Sequence, residues 1–223
     1  MQYFCTRNNT STMPWNIDEV RAELSSAFDE NSETQLLNVI RENSFLLWEL
    51  YDRKYGIRAP FREISFGGEL RCDFAWLNDN SDGPEWVLVE LESPHMPLFR
   101  NDGYPTAELN HGLEQIKSWR RYFDDNPGEK RRIFGAVARF RYILVAGSGT
   151  DWATDHARKW RVDHNRTDPI EIRSSDIFIR ALELLEERQN DFWSFEENPV
   201  TLSQAELRPF WEADGYMGTW RQL

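Results

Sequence analysis

Cysteine is scarce in this chain. Cys5 and Cys72 are the only two among 223 residues, with no CxxC spacing, whereas a disulfide framework or a structural zinc site would need more. Both read as free thiols, Cys72 as a buried one. No apolar run approaches the roughly 18 to 20 residues of a membrane span. The first twelve residues are polar and carry no hydrophobic stretch, so the expected location is the cytoplasm, with no membrane partner. Internal repeats and low-complexity linkers are missing. Gly147-Ser148-Gly149 lacks the Gly-Lys-Ser/Thr continuation of a phosphate loop and reads as a turn, and there is no serine nucleophile elbow. Positive charge is also short, with 26 Lys and Arg against 38 Asp and Glu for a net charge of -12. At face value that excludes a polyanion-binding protein.

The charge is not evenly spread. Residues 1–50, 51–116 and 176–223 are all acidic, but 117–175 holds 13 basic against 8 acidic side chains. Lys117, Arg120, Arg121, Lys130, Arg131 and Arg132, with Arg139, Arg141, Arg158, Lys159, Arg161 and Arg166, could form one positive face on an acidic body or could be solvated helix and loop charges. Ten Trp and fourteen Phe lie mostly among aliphatic neighbours and read chiefly as core, with base-stacking platforms as the other use of such rings.

Ser32 is a capping residue and Glu33 follows it. Leu36, Leu37, Ile40 and Leu47 then give one apolar stripe, which predicts a helix. After Gly56 the period changes toward two. Residues 61–66 and 70–77 read as paired strands around Gly67 and Gly68, with Leu70, Cys72, Phe74 and Trp76 alternating with Arg71, Asp73, Ala75 and Leu77. Residues 78–85 read as a turn and 86–92 as a short strand ended by Ser93, Pro94 and Pro97. A helix follows to Phe123, with Leu109, Leu113, Ile116 and Phe123 on one face. Residues 134–138 could continue a helix, and 142–146 form a strand. A loop then leads through Asp168 and Pro169 to a strand at 170–172 and a helix from about Ser175 to Glu187. The tail 190–223 is acidic, aromatic and irregular. These elements predict an α/β fold with a central mixed sheet flanked by helices: a core domain at 31–190 between extensions at 1–30 and 191–223.

Chemistry concentrates at Asp73, Glu90, Glu92 and Gln115. Strand residues two apart share a face, so Glu90 and Glu92 project together. Pairing of the two strands brings Asp73 beside Glu90. Like charges packed this way destabilise a sheet unless a cation lies between them, and hard carboxylate oxygens suit Mg²⁺. The bland alternative is a half-exposed strand with Glu90 and Glu92 in solvent.

The run Cys72-Asp73-Phe74, then Val89-Glu90-Leu91-Glu92-Ser93-Pro94, then Leu113-Glu114-Gln115-Ile116-Lys117-Ser118-Trp119 resembles the PD-(D/E)XK nuclease core, and most of all its branch in the Shedu antiviral defence proteins of bacteria. The Ser32-Glu33 helix is similar to the first core helix of that family, and residues 170–187 to its closing strand and helix. The resemblance implies a restriction-endonuclease-like core and a DNA endonuclease that uses Mg²⁺ or Mn²⁺ against phage, with DNA as partner and homo-oligomerisation. Asp73 and Glu90 would hold the metal, Glu33 would be an outer acidic residue, and Gln115 would line the site.

Glu92 departs from the pattern, which places Lys there. A carboxylate could serve instead as a third ligand or as a base toward water. Lys117 cannot replace the missing Lys, because it lies about 200° around the helix from Gln115. Gln115 shares a flank with Tyr122 and with His111, a candidate for touching phosphate or water that could equally be structural. The basic residues Lys117, Arg120, Arg121, Lys130, Arg131 and Arg132 would track phosphates. The other reading is a nuclease-derived module that binds nucleic acid or a partner and no longer cleaves.

Overall fold

The computed structural model describes residues 13–52 and 57–222; Cys5, the polar N-terminus and Gly56 lie outside the described residues. The first helix, α1 (Ile17–Asp29), was not anticipated. It buries Val20, Leu24 and Ala27, which are spaced as one helical face requires. The predicted helix follows as α2 (Glu33–Glu42), where Ser32 caps by accepting a hydrogen bond from the Gln35 amide at 3.2 Å. It stops at Asn43, so Leu47 belongs to a separate 3₁₀ turn (Ser44–Leu50) and not to the same helix.

Three antiparallel strands come next: β1 (Phe61–Gly67), β2 (Leu70–Asn80) and β3 (Gly83–Leu91). The stretch 78–85 is therefore mostly strand. Its turn has only two residues, and Gly83 at φ 101° closes it where a side chain would strain the backbone. Helix α3 (Ala107–Asp125) is capped by Thr106 and buries Leu109, Leu113, Ile116, Trp119 and Phe123. Helix α4 (Pro127–Phe134) ends at Gly135, whose φ of 68° stops any continuation into 135–138.

Strand β4 (Arg139–Val145) begins a few residues earlier than expected. The expected loop before β5 (Ile170–Arg173) contains α5 (Asp155–Thr167), whose only fully buried residue is Ala157. Then come α6 (Asp176–Glu187), α7 (Trp193–Glu196), the two-residue strand β6 (Leu202–Ser203), α8 (Gln204–Ala213) and α9 (Gly215–Gln222). The tail is thus regular where the sequence reads as irregular.

The six strands form one mixed sheet in the order β5-β4-β3-β2-β1-β6, with β3, β4 and β5 mutually parallel and β6 parallel to β1. One face carries α1, α2, the 3₁₀ turn and α6 over Phe74, Trp76, Val87, Val89 and Leu91. The other carries α3, α4, α5 and α8 over Ala75, Leu77, Trp86 and Leu88. Most large rings fill these cores. Phe192 and Phe195 are buried in the first and Trp211 in the second, where its ring meets Trp86 at 5.7 Å. The aromatic tail therefore packs on its own chain. Trp211→Ala is expected to lower the free energy of unfolding by about 3 to 5 kcal/mol, measured by denaturant titration; a loss below about 1 kcal/mol would contradict this packing.

Strict alternation fails at one level of the sheet. Cys72 and Ala75 both join the core under α3, while Phe74 joins the opposite core. On β1, Phe61 and Ile64 likewise share the α3 core, and between them Glu63 takes a left-handed φ of 52°. The register pairs Arg62 with Phe74 and Ile64 with Cys72, so Glu63 and Asp73 stand opposite each other at the slip. Side chains are re-aimed there, as at a bulge.

Candidate active site

The slip opens the sheet. Pairing of β2 with β3 ends at Phe74 and Val89, whereas β3 stays with β4 through Leu91 and Val145, and the Glu92 amide still donates to the Val145 carbonyl at 2.9 Å. Beyond Val89, then, β2 leaves with β1 and β3 leaves with β4. The carboxylate of Asp73 spans the gap, its Oδ2 accepting the Leu91 amide at 2.7 Å in place of a ladder carbonyl. A side chain that replaces a ladder bond is fixed in direction, and this is what presents Asp73 at the C-terminal end of β3.

Glu90 is 7% exposed and Asp73 8%. Gln115, from α3, donates its amide to Glu90 Oε1. The other oxygen, Oε2, is buried with no hydrogen-bond partner, a costly arrangement for a carboxylate. Glu92 lies against α3 at Gly112, where a Cβ would sit 2.6 Å from its Oε1 and 3.0 Å from Leu144 Cδ1. Gly112 is therefore small to admit that carboxylate. Glu33, the first residue of α2, is half-buried and adds its charge from the opposite face.

Burial raises all four groups, and neighbouring carboxylates add to the rise at Glu90, Asp73 and Glu92. Burial, then the charges of Asp73, Glu92 and Glu33, pushes Glu90 up to about 10. Burial first and Glu33 in part push Asp73 up to about 6, although the Leu91 amide opposes the rise. Burial, then Glu33 and Asp73, moves Glu92 up to about 7. Glu33 itself is raised by burial, with Arg71 opposing. Nearby positive charge comes from Arg71 and Arg41.

Among the described residues no three His, Cys, Asp or Glu side chains form a group that could hold a metal ion by themselves. A cation here would be the guest of two carboxylates, Asp73 and Glu90, completed by water and substrate oxygens, the coordination Mg²⁺ commonly accepts. The unpartnered Glu90 Oε2 is what fits that group. Glu92, drawn toward Gly112, is less suited to be a third ligand.

The sequence expectations thus separate. Asp73, Glu90, Glu92, Gln115 and Glu33 come together. His111 is exposed on α3 and, among the described residues, makes no hydrogen bond or ion pair. Lys117 faces away from Gln115 and pairs with Glu114 at 2.9 Å, as the helical angle requires. The expected positive face is largely spent on local pairs: Arg121 also meets Glu114 and Arg132 meets Glu129. Arg120 lies over the Tyr142 ring and Lys130 over Phe140, and Arg131 is exposed on α4. Arg71 and Arg41, which sequence reasoning passed over, carry no motif; only the fold brings them near the carboxylates.

Residues 30–179, which include every one of these carboxylates, match the family described as Shedu protein SduA, C-terminal. The chain belongs to the Shedu family. Membership suggests a role in antiphage defence. In this Shedu chain the matched span runs from just before α2 into α6, so it takes in the opened sheet and the helix that carries Gln115. No curated protein matches the chain. Among the described residues no helix is long and apolar enough to cross a membrane.

Proposed function

We propose that this Shedu chain is a metal-dependent DNA endonuclease acting against phage, with Asp73 and Glu90 holding Mg²⁺ or Mn²⁺. The observation that carries the reading is the buried, unpartnered Glu90 Oε2 beside Asp73 at the opened end of the sheet. When bound, such an ion activates water and neutralises charge on a phosphodiester.

The chain's own residues do the rest. Gln115 holds one oxygen of Glu90 and leaves the other free. Asp73 is fixed by the Leu91 amide. Glu92, moved up to about 7, sits where a general base at neutral pH works best and can accept a proton from water. The second reading, a nuclease-derived binding module, is favoured by Glu92 in the place of Lys and by the local pairing of the basic side chains.

Purified protein incubated with plasmid and linear DNA in Mg²⁺ or Mn²⁺ separates the two. Cleavage by the native protein, lost in Asp73→Ala and Glu90→Ala, is expected. Cleavage that persists in both variants would refute the site, and retained binding without cleavage of any substrate would favour the module.

A further inference from the structure

Four carboxylates converge where the sheet opens, and a phosphodiester approaching them adds another negative charge. The cation that receives it must come from the chain or be a guest. Lys117, Arg121 and Arg132 are committed to carboxylates on their own helices. Of the chain's cations, Arg71 and Arg41 are the two whose charge acts on these carboxylates, and they are held very differently.

Arg41, on α2, is an anchored residue. It donates to Asn38 Oδ1 at 3.0 Å and reaches Glu63 at 3.1 Å, while its Nε is buried without a hydrogen-bond partner. Arg71 meets the same Glu63 carboxylate only at 3.6 Å, and its side chain is 61% exposed. Glu63 is thus shared unequally: Arg41 fixes it, and it restrains Arg71 weakly. Glu63 is also the residue in left-handed backbone opposite Asp73. Such strain persists where surrounding structure over-determines it, and it clusters at functional sites. Arg71 lies two residues before Asp73 on β2, about 6.6 Å along the strand. Its charge is felt at Glu33, Asp73 and Glu90.

We propose that Arg71, held in reserve by the Arg41–Glu63 pair, contacts the phosphate of the bound nucleic acid next to Asp73 and Glu90, and that Glu63 and Arg41 act as positioning residues for it. A guanidinium suits this task because its planar fork can donate two parallel hydrogen bonds to phosphate oxygens. The loose partner lets it exchange one anion for another without stranding a buried charge. The inference rests on the nuclease reading above.

The test is binding as well as cleavage. A fluorescein-labelled DNA duplex is titrated by anisotropy in Ca²⁺ over a range of salt concentrations, using native protein, Arg71→Ala, Arg71→Lys, Glu63→Gln and the distant exposed Arg208→Ala. Melting temperatures confirm that each variant is folded. Arg71→Ala is expected to bind about tenfold more weakly, with the salt slope smaller by about one, and to cleave about 10²-fold more slowly in Mg²⁺. Arg71→Lys should recover part of the binding, Glu63→Gln should lose part of it, and Arg208→Ala should match the native protein. If the native protein binds DNA and Arg71→Ala binds and cleaves equally well, the inference is overturned while the nuclease reading stands. Equal losses in Arg71→Ala and Arg208→Ala would overturn it too, as a general charge effect. If the native protein binds no DNA, the nuclease reading itself fails and takes the inference with it.

Discussion

Glu90→Gln is expected to reduce metal-dependent DNA cleavage by about 10³-fold while making the metal-free protein more stable. The two effects have one cause. Burial and three neighbouring carboxylates push Glu90 up to about 10, from 4.5 in an open chain. At pH 7 the folded protein must therefore keep a proton on Glu90 that the unfolded chain has released, which costs about 3 kcal/mol. Gln carries no such cost. It keeps an oxygen for the Gln115 amide and nearly the same volume, so the packing against α3 survives. What it lacks is a second anionic oxygen. Activity and stability should move in opposite directions, a pattern that simple misfolding cannot give. Parallel loss of both would show that Glu90 has a structural role only. Asp73→Ala should behave differently and lose stability as well, because the buried Leu91 amide is left without its acceptor, at about 1 to 3 kcal/mol.

The second large effect is on pH dependence. Asp73 moves from 3.8 up to about 6, and Glu92 from 4.5 up to about 7. Between about pH 4 and 7 these two groups therefore hold more protons in the native state than in the unfolded chain, and their contribution to native stability falls as pH rises. This contribution is complete below the open-chain values and is lost as pH passes upward through the folded ones, with Glu90 extending the decline toward 10. Saturating Mg²⁺ or Mn²⁺ should flatten or reverse the slope, because a cation favours the ionised carboxylates and expels their protons. Denaturant titrations at pH 5, 6, 7 and 8, with chelator and with metal, read both slopes. Parallel lines in the two series would count against a cation among these groups.

Much of the site is legible in the sequence because it obeys short rules. Glu90 and Glu92 are two apart on a strand, Gln115 lies on the flank of a regular apolar stripe, and Ser32 caps the helix that begins with Glu33. Gly112 inside a helical pattern is also a readable sign of close approach. The helix α1 carried a signal in Val20, Leu24 and Ala27 that a polar surrounding obscured. By contrast α5 offers almost no apolar stripe, since only Ala157 is fully buried, and α8 depends on Leu207 and Trp211 packing against distant strands. The slip at Glu63 and Asp73 cannot be read locally, because a glutamate in left-handed backbone has no marker in residue type. The alternation expected along 70–77 therefore failed at the point where the site forms. The same non-local geometry unites Arg41, Glu63 and Arg71, which belong to three different elements.

Charge shows the opposite lesson. The excess of basic residues in 117–175 is real in composition, but Glu114, Glu129, Asp155 and Asp163 each sit three residues before a basic partner and absorb much of it. Pairs of that kind contribute little stability and still reduce the field available to a polyanion. Proximity in sequence to the carboxylates was less informative than pairing in space.

The central claim is that Asp73 and Glu90 together hold a divalent cation. Crystals soaked in Mn²⁺ and examined by anomalous diffraction test it most directly. The expected result is a peak touching both the Glu90 Oε2 side of that carboxylate and Asp73, absent from crystals of Glu90→Gln. A fully soaked native crystal with no peak between the two residues would contradict it.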